Sequence, residues 1–300
     1  MKREFMRTTA ASIAAGLLSA AAVASAGGEP VAIVYSLSGT AWIQPSSGAR
    51  QKAERFAWLS ADAAVDVEAQ STLLLAFVSG SRYELGPGAR ATLASDGTLR
   101  APKGPVRALD SVPPLPRLAP LAERPPARAG ALRIRGARIA GLYPGPEASA
   151  VPDNTVLSFE PLPGSTSYKV QVEDESGNAV FSAETQTASI LVSPGVLRPG
   201  SRYHWTVRSL GGTAAGRGEA DFETASAETL ASRETLRRSL QGGGDAASLA
   251  LLAEVDARLG LLKEAQEGFR AALARSPGDA SLEAALARVD RRMADSPRDP

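Results

Sequence analysis

The chain has 300 residues, 44% hydrophobic and 22% charged, with a formal net charge of +1. That length accommodates two or three small domains, and the balanced charge leaves no global basic field to hold nucleic acid. Cysteine is absent and histidine occurs once, at His204. This excludes disulfides, thiol catalysis, Cys or His zinc clusters and the acylated cysteine of a bacterial lipoprotein.

Aromatic residues are few, at 5%, whereas there are 28 glycines and 21 prolines. Many turns and short elements follow, hence β modules joined by linkers. Residues 1–26 read as a secretory leader. Lys2, Arg3 and Arg7 make a positive start, and no further charge appears until Glu29. Ile13, Leu17, Leu18 and Val23 sit in an Ala-rich run that ends in Ala24-Ser25-Ala26, a small-x-small cleavage signal. An uncleaved anchor is the alternative, since Thr8–Gly28 reaches the ~20 residues a span needs. Its Ala, Ser and Gly content makes for weak insertion. Cleavage near Ala26 places the mature protein in the periplasm with no integral membrane span. Removing Lys2, Arg3, Arg7 and Glu4 leaves 30 basic and 31 acidic residues, a net charge of −1.

Residues 29–100 read as short strands. Val31, Ile33 and Tyr35 alternate, and Gly39 turns the chain into Ala41-Trp42-Ile43. Ser71–Val78 is apolar nearly throughout, the pattern of a strand buried on both faces. Ser79-Gly80-Ser81 and Gly86-Pro87-Gly88 turn the chain on either side of Arg82–Leu85. Ala91-Thr92-Leu93, Ser95-Asp96-Gly97 and Thr98-Leu99 continue the meander. This stretch resembles the FecR-type domain of bacterial envelope proteins. Gly39, Leu73–Val78, Gly80-Ser81, Leu85 and Gly88 match its pattern, while Ser79 replaces the aspartate of its D-G-S turn. Full FecR-type regulators join a periplasmic domain to a cytoplasmic anti-sigma segment through a membrane helix. With seven residues ahead of the leader's apolar run, this chain is expected to lack that half.

Residues 101–130 read as a linker, with prolines at 113, 114, 116, 120, 125 and 126 favouring extended backbone. From Ala101 to Arg138 there are eight basic residues and two acidic ones. Attraction to anionic lipid headgroups is one reading, and solvation of a linker is the favoured one.

Residues 131–224 carry about seven short strands, the pattern of an antiparallel sandwich. They include Leu132–Ile134, Ile139–Tyr143, Val156–Phe159, Tyr168–Val172, Val180-Phe181, Ser189–Val192 and Tyr203–Val207, closed by Asp221–Glu223. Leu197, Pro199, Gly200 and Tyr203 spell L-x-P-G-x-x-Y, so the module resembles the fibronectin type III fold. In that family the motif is a tyrosine corner, which implies a buried Tyr203 ring with its hydroxyl bonded to nearby backbone. Phe159 stands where a tryptophan is common.

From residue 226 to 292 the period becomes helical. Leu230, Leu236 and Leu240 mark a first helix, stopped by Gly242-Gly243-Gly244. Leu249, Leu252, Ala253 and Leu259 line a second, capped by Asp245 and ended at Gly260. Ala265, Phe269, Ala272 and Leu273 line a third, stopped by Pro277-Gly278. Leu282, Leu286 and Val289 mark a fourth, with Asp279 as its cap. Leu249, Leu252, Ala253, Gly260, Leu262, Ala265, Phe269, Ala272 and Pro277 fill the spaced positions of a tetratricopeptide repeat, which the segment resembles. Asp256 replaces the usual aromatic of the repeat's first helix. One repeat with a flanking helix on each side is short of the roughly three copies such units need. The helices are therefore expected to dock on the β module, self-associate or cover a partner. The last residues, Ser296–Pro300, are expected to fray.

No spacing picks out chemistry. His204 faces away from Tyr203 and Trp205 and has no second histidine to share a metal, so a surface strand histidine is the preferred reading. Asp174, Glu175 and Asn178 crowd one turn without the regular ligand spacing of a calcium loop, so they read as a hairpin tip. Gly211-Gly212 and Gly216-Arg217-Gly218 read as a loop before the last strand, not a phosphate cradle.

The fold expected is multidomain and mainly β. It comprises a small FecR-type β domain, a fibronectin type III-like antiparallel β-sandwich and C-terminal α-helical tetratricopeptide-like hairpins. The function expected is that of a non-enzymatic envelope protein of a Gram-negative-type bacterium, binding protein partners as a scaffold. It has no cofactor, no catalytic or metal-binding residue and no nucleic-acid partner. Which residues meet the partner is not legible, though the helices and the first β domain are the expected seats. The alternatives are an accessory sensor in FecR-like envelope signalling and a peptidoglycan- or carbohydrate-binding protein. Trp42 and Trp58 exposed together, with Trp205 in the core, would favour the latter.

Overall fold

The computed structural model describes residues 29–116, 137–213, 215–241 and 244–294. The leader, most of the proline-rich stretch, Leu132–Ile134 and the C-terminal tail lie outside them. Among the described residues no helix is long and apolar enough to cross a membrane.

The first domain contains β1 (Pro30–Ser38), β2 (Ala41–Gln44), β3 (Gln51–Lys52), β4 (Trp58–Ser60), β5 (Ala64–Val67), β6 (Thr72–Phe77), β7 (Arg82–Leu85), β8 (Arg90–Leu93), β9 (Leu99–Lys103) and β10 (Val106–Leu109). They form two antiparallel five-stranded sheets, ordered β10-β7-β6-β1-β4 and β3-β2-β5-β8-β9. Alternation sends one face of each sheet inward. Val34, Leu73, Leu75 and Phe77 of the first sheet meet Ile43, Val65, Val67 and Leu93 of the second in one core. The opposite face of β1 and β6, carrying Ile33, Tyr35 and Ala76, is buried too, in a separate cluster shared with the C-terminal helices. That second covering explains why Ser71–Val78 is apolar nearly throughout.

The domain runs past residue 100, into the stretch expected to be linker. Strands β9 and β10 close the two sheets. Beyond them the Val112 amide donates to the Gly80 carbonyl and the Leu115 amide to the Val78 carbonyl, both at 2.9 Å. Both side chains are buried. Proline forbids helix and donates no amide, but it permits an extended strip whose intervening residues supply the bonds. Pro113, Pro114 and Pro116 therefore do not mark a free spacer.

The middle domain contains β11 (Ala137–Arg138), β12 (Ser149–Ala150), β13 (Val156–Ser158), β14 (Ser165–Asp174), β15 (Ala179–Thr185), β16 (Ser189–Leu191), β17 (Arg202–Gly212) and β18 (Gly216–Thr224). The larger sheet runs β11-β18-β17-β14-β15, with β12 also on β18, while β13 and β16 pair separately. The two short strands β11 and β12 run parallel to β18, and all other pairs are antiparallel. Between the sheets lie Leu157, Val170, Val172, Trp205, Val207 and Phe222. Tyr203 is buried and its hydroxyl accepts from the Arg198 amide at 2.8 Å. The Trp205 indole donates to the Pro144 carbonyl at 2.9 Å.

Two sequence readings are corrected here. Ile139–Tyr143 is not a continuous strand, because Gly141 adopts φ +64° and only a Tyr143–Ser158 bridge follows β11. Gly211-Gly212 and Gly216–Gly218 are the ends of β17 and β18, not a loop. The glycines there allow close backbone approach. A Cβ on Gly218 would stand 2.6 Å from the Ile139 carbonyl oxygen.

Four helices complete the fold, α1 (Ala227–Gln241), α2 (Ala246–Arg258), α3 (Leu262–Arg275) and α4 (Ala280–Ala294), each packed on the next. Asp245 caps α2 by accepting from the Ser248 amide at 2.7 Å. Asp279 caps α4, accepting from the Ser281 and Leu282 amides. The described residues are thus mainly β, with four sheets followed by four helices.

Candidate interaction surfaces

The apolar face of the helices is filled by the chain itself. Phe56, in the loop before β4, meets Phe269 of α3 edge to face, ring centres 5.6 Å apart. Its neighbour Arg55 lies over the Phe56 ring and donates to the Asp279 carboxylate at 2.6 Å. One carboxylate thereby both caps α4 and fastens it to the first domain. Trp58 lies under the Arg258 guanidinium, 4.7 Å from its ring centre, and its indole faces Glu254 at 3.3 Å. Glu254 also accepts from Arg288. On the other side the helices hold the middle domain. Tyr143 Oη accepts from the Lys263 amide at 3.0 Å, and the Ser149 amide donates to the Gly260 carbonyl at 2.8 Å. Gly260, at φ +80°, ends α2 and leaves room for Glu147 and Ser149.

This junction holds several carboxylates with perturbed ionisation. Asp256, 1% exposed, accepts a two-pronged bond from Arg233 of α1 at 2.6 and 2.8 Å. Burial, only partly offset by Arg233, pushes its carboxyl up to about 6. Burial likewise raises Glu254 and Glu264. The partner of Asp256 thus comes from the preceding helix, α1. Asp256 is tied to Arg233, and Glu254 to Trp58 and Arg288, so both carboxylates have partners inside the protein.

The residues singled out from the sequence do not converge. His204 is on the outer face of the larger middle sheet, its Nδ1 2.7 Å from Asp221. That bond, opposed by partial burial, raises its pKa above the ordinary value. Asp174 is the β14–β15 turn, accepting from the Ser176 and Asn178 amides and from the Asn178 side chain. Those bonds hold its carboxyl below the usual range. Among the described residues no group of three or more His, Asp or Glu could hold a metal ion. Trp205 is fully buried, Trp58 is covered by α2, and Trp42 lies in the other sheet of the first domain. The paired Trp42–Trp58 platform is therefore not formed.

A different constellation emerges around Trp42. The registers Lys52–Trp42, Trp42–Asp66, Asp66–Arg90 and Arg90–Lys103 place these five side chains in one row across β3, β2, β5, β8 and β9. Strands alternate, so the row shares the outer face, opposite the buried Ile43, Val65 and Ala91. The β8–β9 bulge adds Arg100 to the same face. Arg50 stacks on Trp42 at 5.1 Å, and Arg50 and Arg90 both reach Asp66, at 3.0 and 2.9 Å. Glu68 fixes the Trp42 indole N–H at 2.7 Å. Ala64 and Thr92 floor a shallow hollow of about 360 Å³ between them. This row was not legible in the sequence. The polar residues of A-V-D-V and R-A-T-L were its signal, but only strand order brings them together.

No protein-family model matches the chain, and no curated protein matches it. Among solved structures it is similar to the crystal structure of chicken CNTN1 FN1–FN3 domains, at 10% identity and a TM-score of 0.24. The match covers 62% of this chain and 55% of that one, so the chain spans little more than half that structure's length. A superposition at that score assigns no fold, and no family is established by these comparisons.

Proposed function

We propose that this protein is a non-enzymatic scaffold of the bacterial envelope, exported by its leader and cleaved near Ala26. Its first domain is read as FecR-type, its middle domain as fibronectin type III-like and its helices as one tetratricopeptide-like repeat with flanking helices. The Tyr203–Arg198 bond supports the second assignment, being the corner contact that L-x-P-G-x-x-Y implies. The single observation that carries the scaffold reading is the helical layer. It packs on the first domain through Phe56 and Trp58 and on the middle domain through Tyr143, which holds two β domains in fixed relation. A body braced in this way offers its remaining outer faces to partners without needing to move.

Full-length protein tagged at its C-terminus and crosslinked in the periplasm should capture a reproducible envelope protein. Mass measurement of the mature protein should find its N-terminus close to Gly27. Recovery from the cytoplasm, or no crosslinked partner under conditions that capture a known periplasmic pair, would refute the proposal.

A further inference from the structure

We propose that the outer face of the β3-β2-β5-β8-β9 sheet binds an acidic polysaccharide. The inference rests on the reading of the chain as a non-enzymatic envelope scaffold and names what one of its faces holds. Four inter-strand steps of about 4.8 Å make the row from Lys52 to Lys103 ~19 Å long, a track for an extended chain rather than a point site. Lys52 and Lys103, one at each end, are exposed and form no ion pair with any described residue. Arg50 and Arg90 lie between them, held in place by Asp66. Their side chains are 52% and 68% exposed, so charge and donors remain available to a carboxylate or sulfate. The pinned guanidinium groups and the pinned indole lose little freedom on binding.

Three features select a saccharide among anionic ligands. Trp42, with Arg50 stacked on it, supplies aromatic surface among the cations, and the small floor of Ala64 and Thr92 admits a ring lying on the sheet. Asp66, 28% exposed in the middle of the row, repels a ligand made only of anions but accepts bonds from hydroxyl groups. The face has nothing to insert into a bilayer, because the exposed large hydrophobic residues among those described, Leu191 and Leu210, belong to the middle domain. A peptide added as a strand would use an edge rather than this face.

The test measures binding of polygalacturonate to the purified protein by titration calorimetry, with dextran as the neutral control. Poly-L-glutamate and phosphatidylglycerol vesicles represent the acidic peptide and the membrane. The expected result is polygalacturonate binding that weakens with salt, with no binding to dextran. K52Q/K103Q should lower affinity about tenfold, and W42A should lower it several-fold. K169Q/R208Q, which removes two charges from the middle domain, should leave it unchanged. Circular dichroism of each variant establishes that it is folded. No binding of polygalacturonate overturns the proposal. So does equal binding of poly-L-glutamate or vesicles, or equal loss in K169Q/R208Q. Partner capture in the periplasm by the wild type separates the two readings. No captured partner, with polygalacturonate binding kept, removes the scaffold reading and leaves this one standing, whereas capture without polygalacturonate binding removes this one alone.

Discussion

Phe56 is the residue whose replacement most directly tests whether the helices are an integral layer of the first domain. Its ring is buried between that domain and α3, and its backbone sits at φ +68°, in the left-handed region. Truncating a buried phenylalanine to alanine costs about 3–5 kcal/mol through lost burial and the cavity left behind. Alanine retains the backbone strain, roughly 1–2 kcal/mol, whereas glycine relieves it. Glycine in turn loses about 0.5–1 kcal/mol through its freer unfolded chain. F56G should therefore be more stable than F56A by about 0.5–1 kcal/mol, the reverse of the usual order, with both well below the wild type. Urea denaturation followed by far-ultraviolet circular dichroism and by tryptophan emission reads this out. With a slope of about 2 kcal/mol per molar, F56A should move the midpoint by about 2 M. Both probes should move together, since the helices and β1 share one core. A shift under about 0.5 M, or a helical signal unmoved while the β domain melts early, would refute the docking argument.

Asp256 and Arg233 should show strong coupling. R233A strands the buried Asp256 and should cost about 3–5 kcal/mol, D256A leaves the part-exposed Arg233 and should cost less, and D256L/R233M should cost less than the sum of the two. Thermal melts of the three variants and the wild type close that cycle. Stability should also depend on pH with a definite sign. Asp256 is raised from an ordinary 3.8 to about 6, so its contribution is fully present below the unfolded value and lost as pH rises through about 6. That shift corresponds to about 3 kcal/mol at most. His204 is raised above 6.5 and acts with the same sign at higher pH. Melting temperature should fall from pH 5 to pH 8, and D256N should flatten the lower part of that slope. A rising profile would overturn the assignment. Y203F removes the acceptor of the Arg198 amide, a part-buried bond, and should cost about 0.5–1.5 kcal/mol in denaturant melts of the middle domain. No change would show that the corner bond contributes nothing.

Local chemistry was legible in the sequence wherever a residue acts on its own neighbours. Asp245 and Asp279 cap the helices that they precede, Gly260 ends α2, and Tyr203 bonds five residues back along the chain. The apolar run of β6 even reported that both its faces are covered. These features depend on hydrogen bonds and side-chain periods that span a few residues, so composition and spacing carry them. What covers β6 was decided only by tertiary packing. Phe56 reaches Phe269 across more than two hundred residues, and nothing local to either marks the other. The same holds for the Lys52-to-Lys103 row, whose members come from five strands and become neighbours only through strand order and register. A strand's sequence states which side chains share a face, but pairing free energy summed over a whole sheet selects the strand beside it.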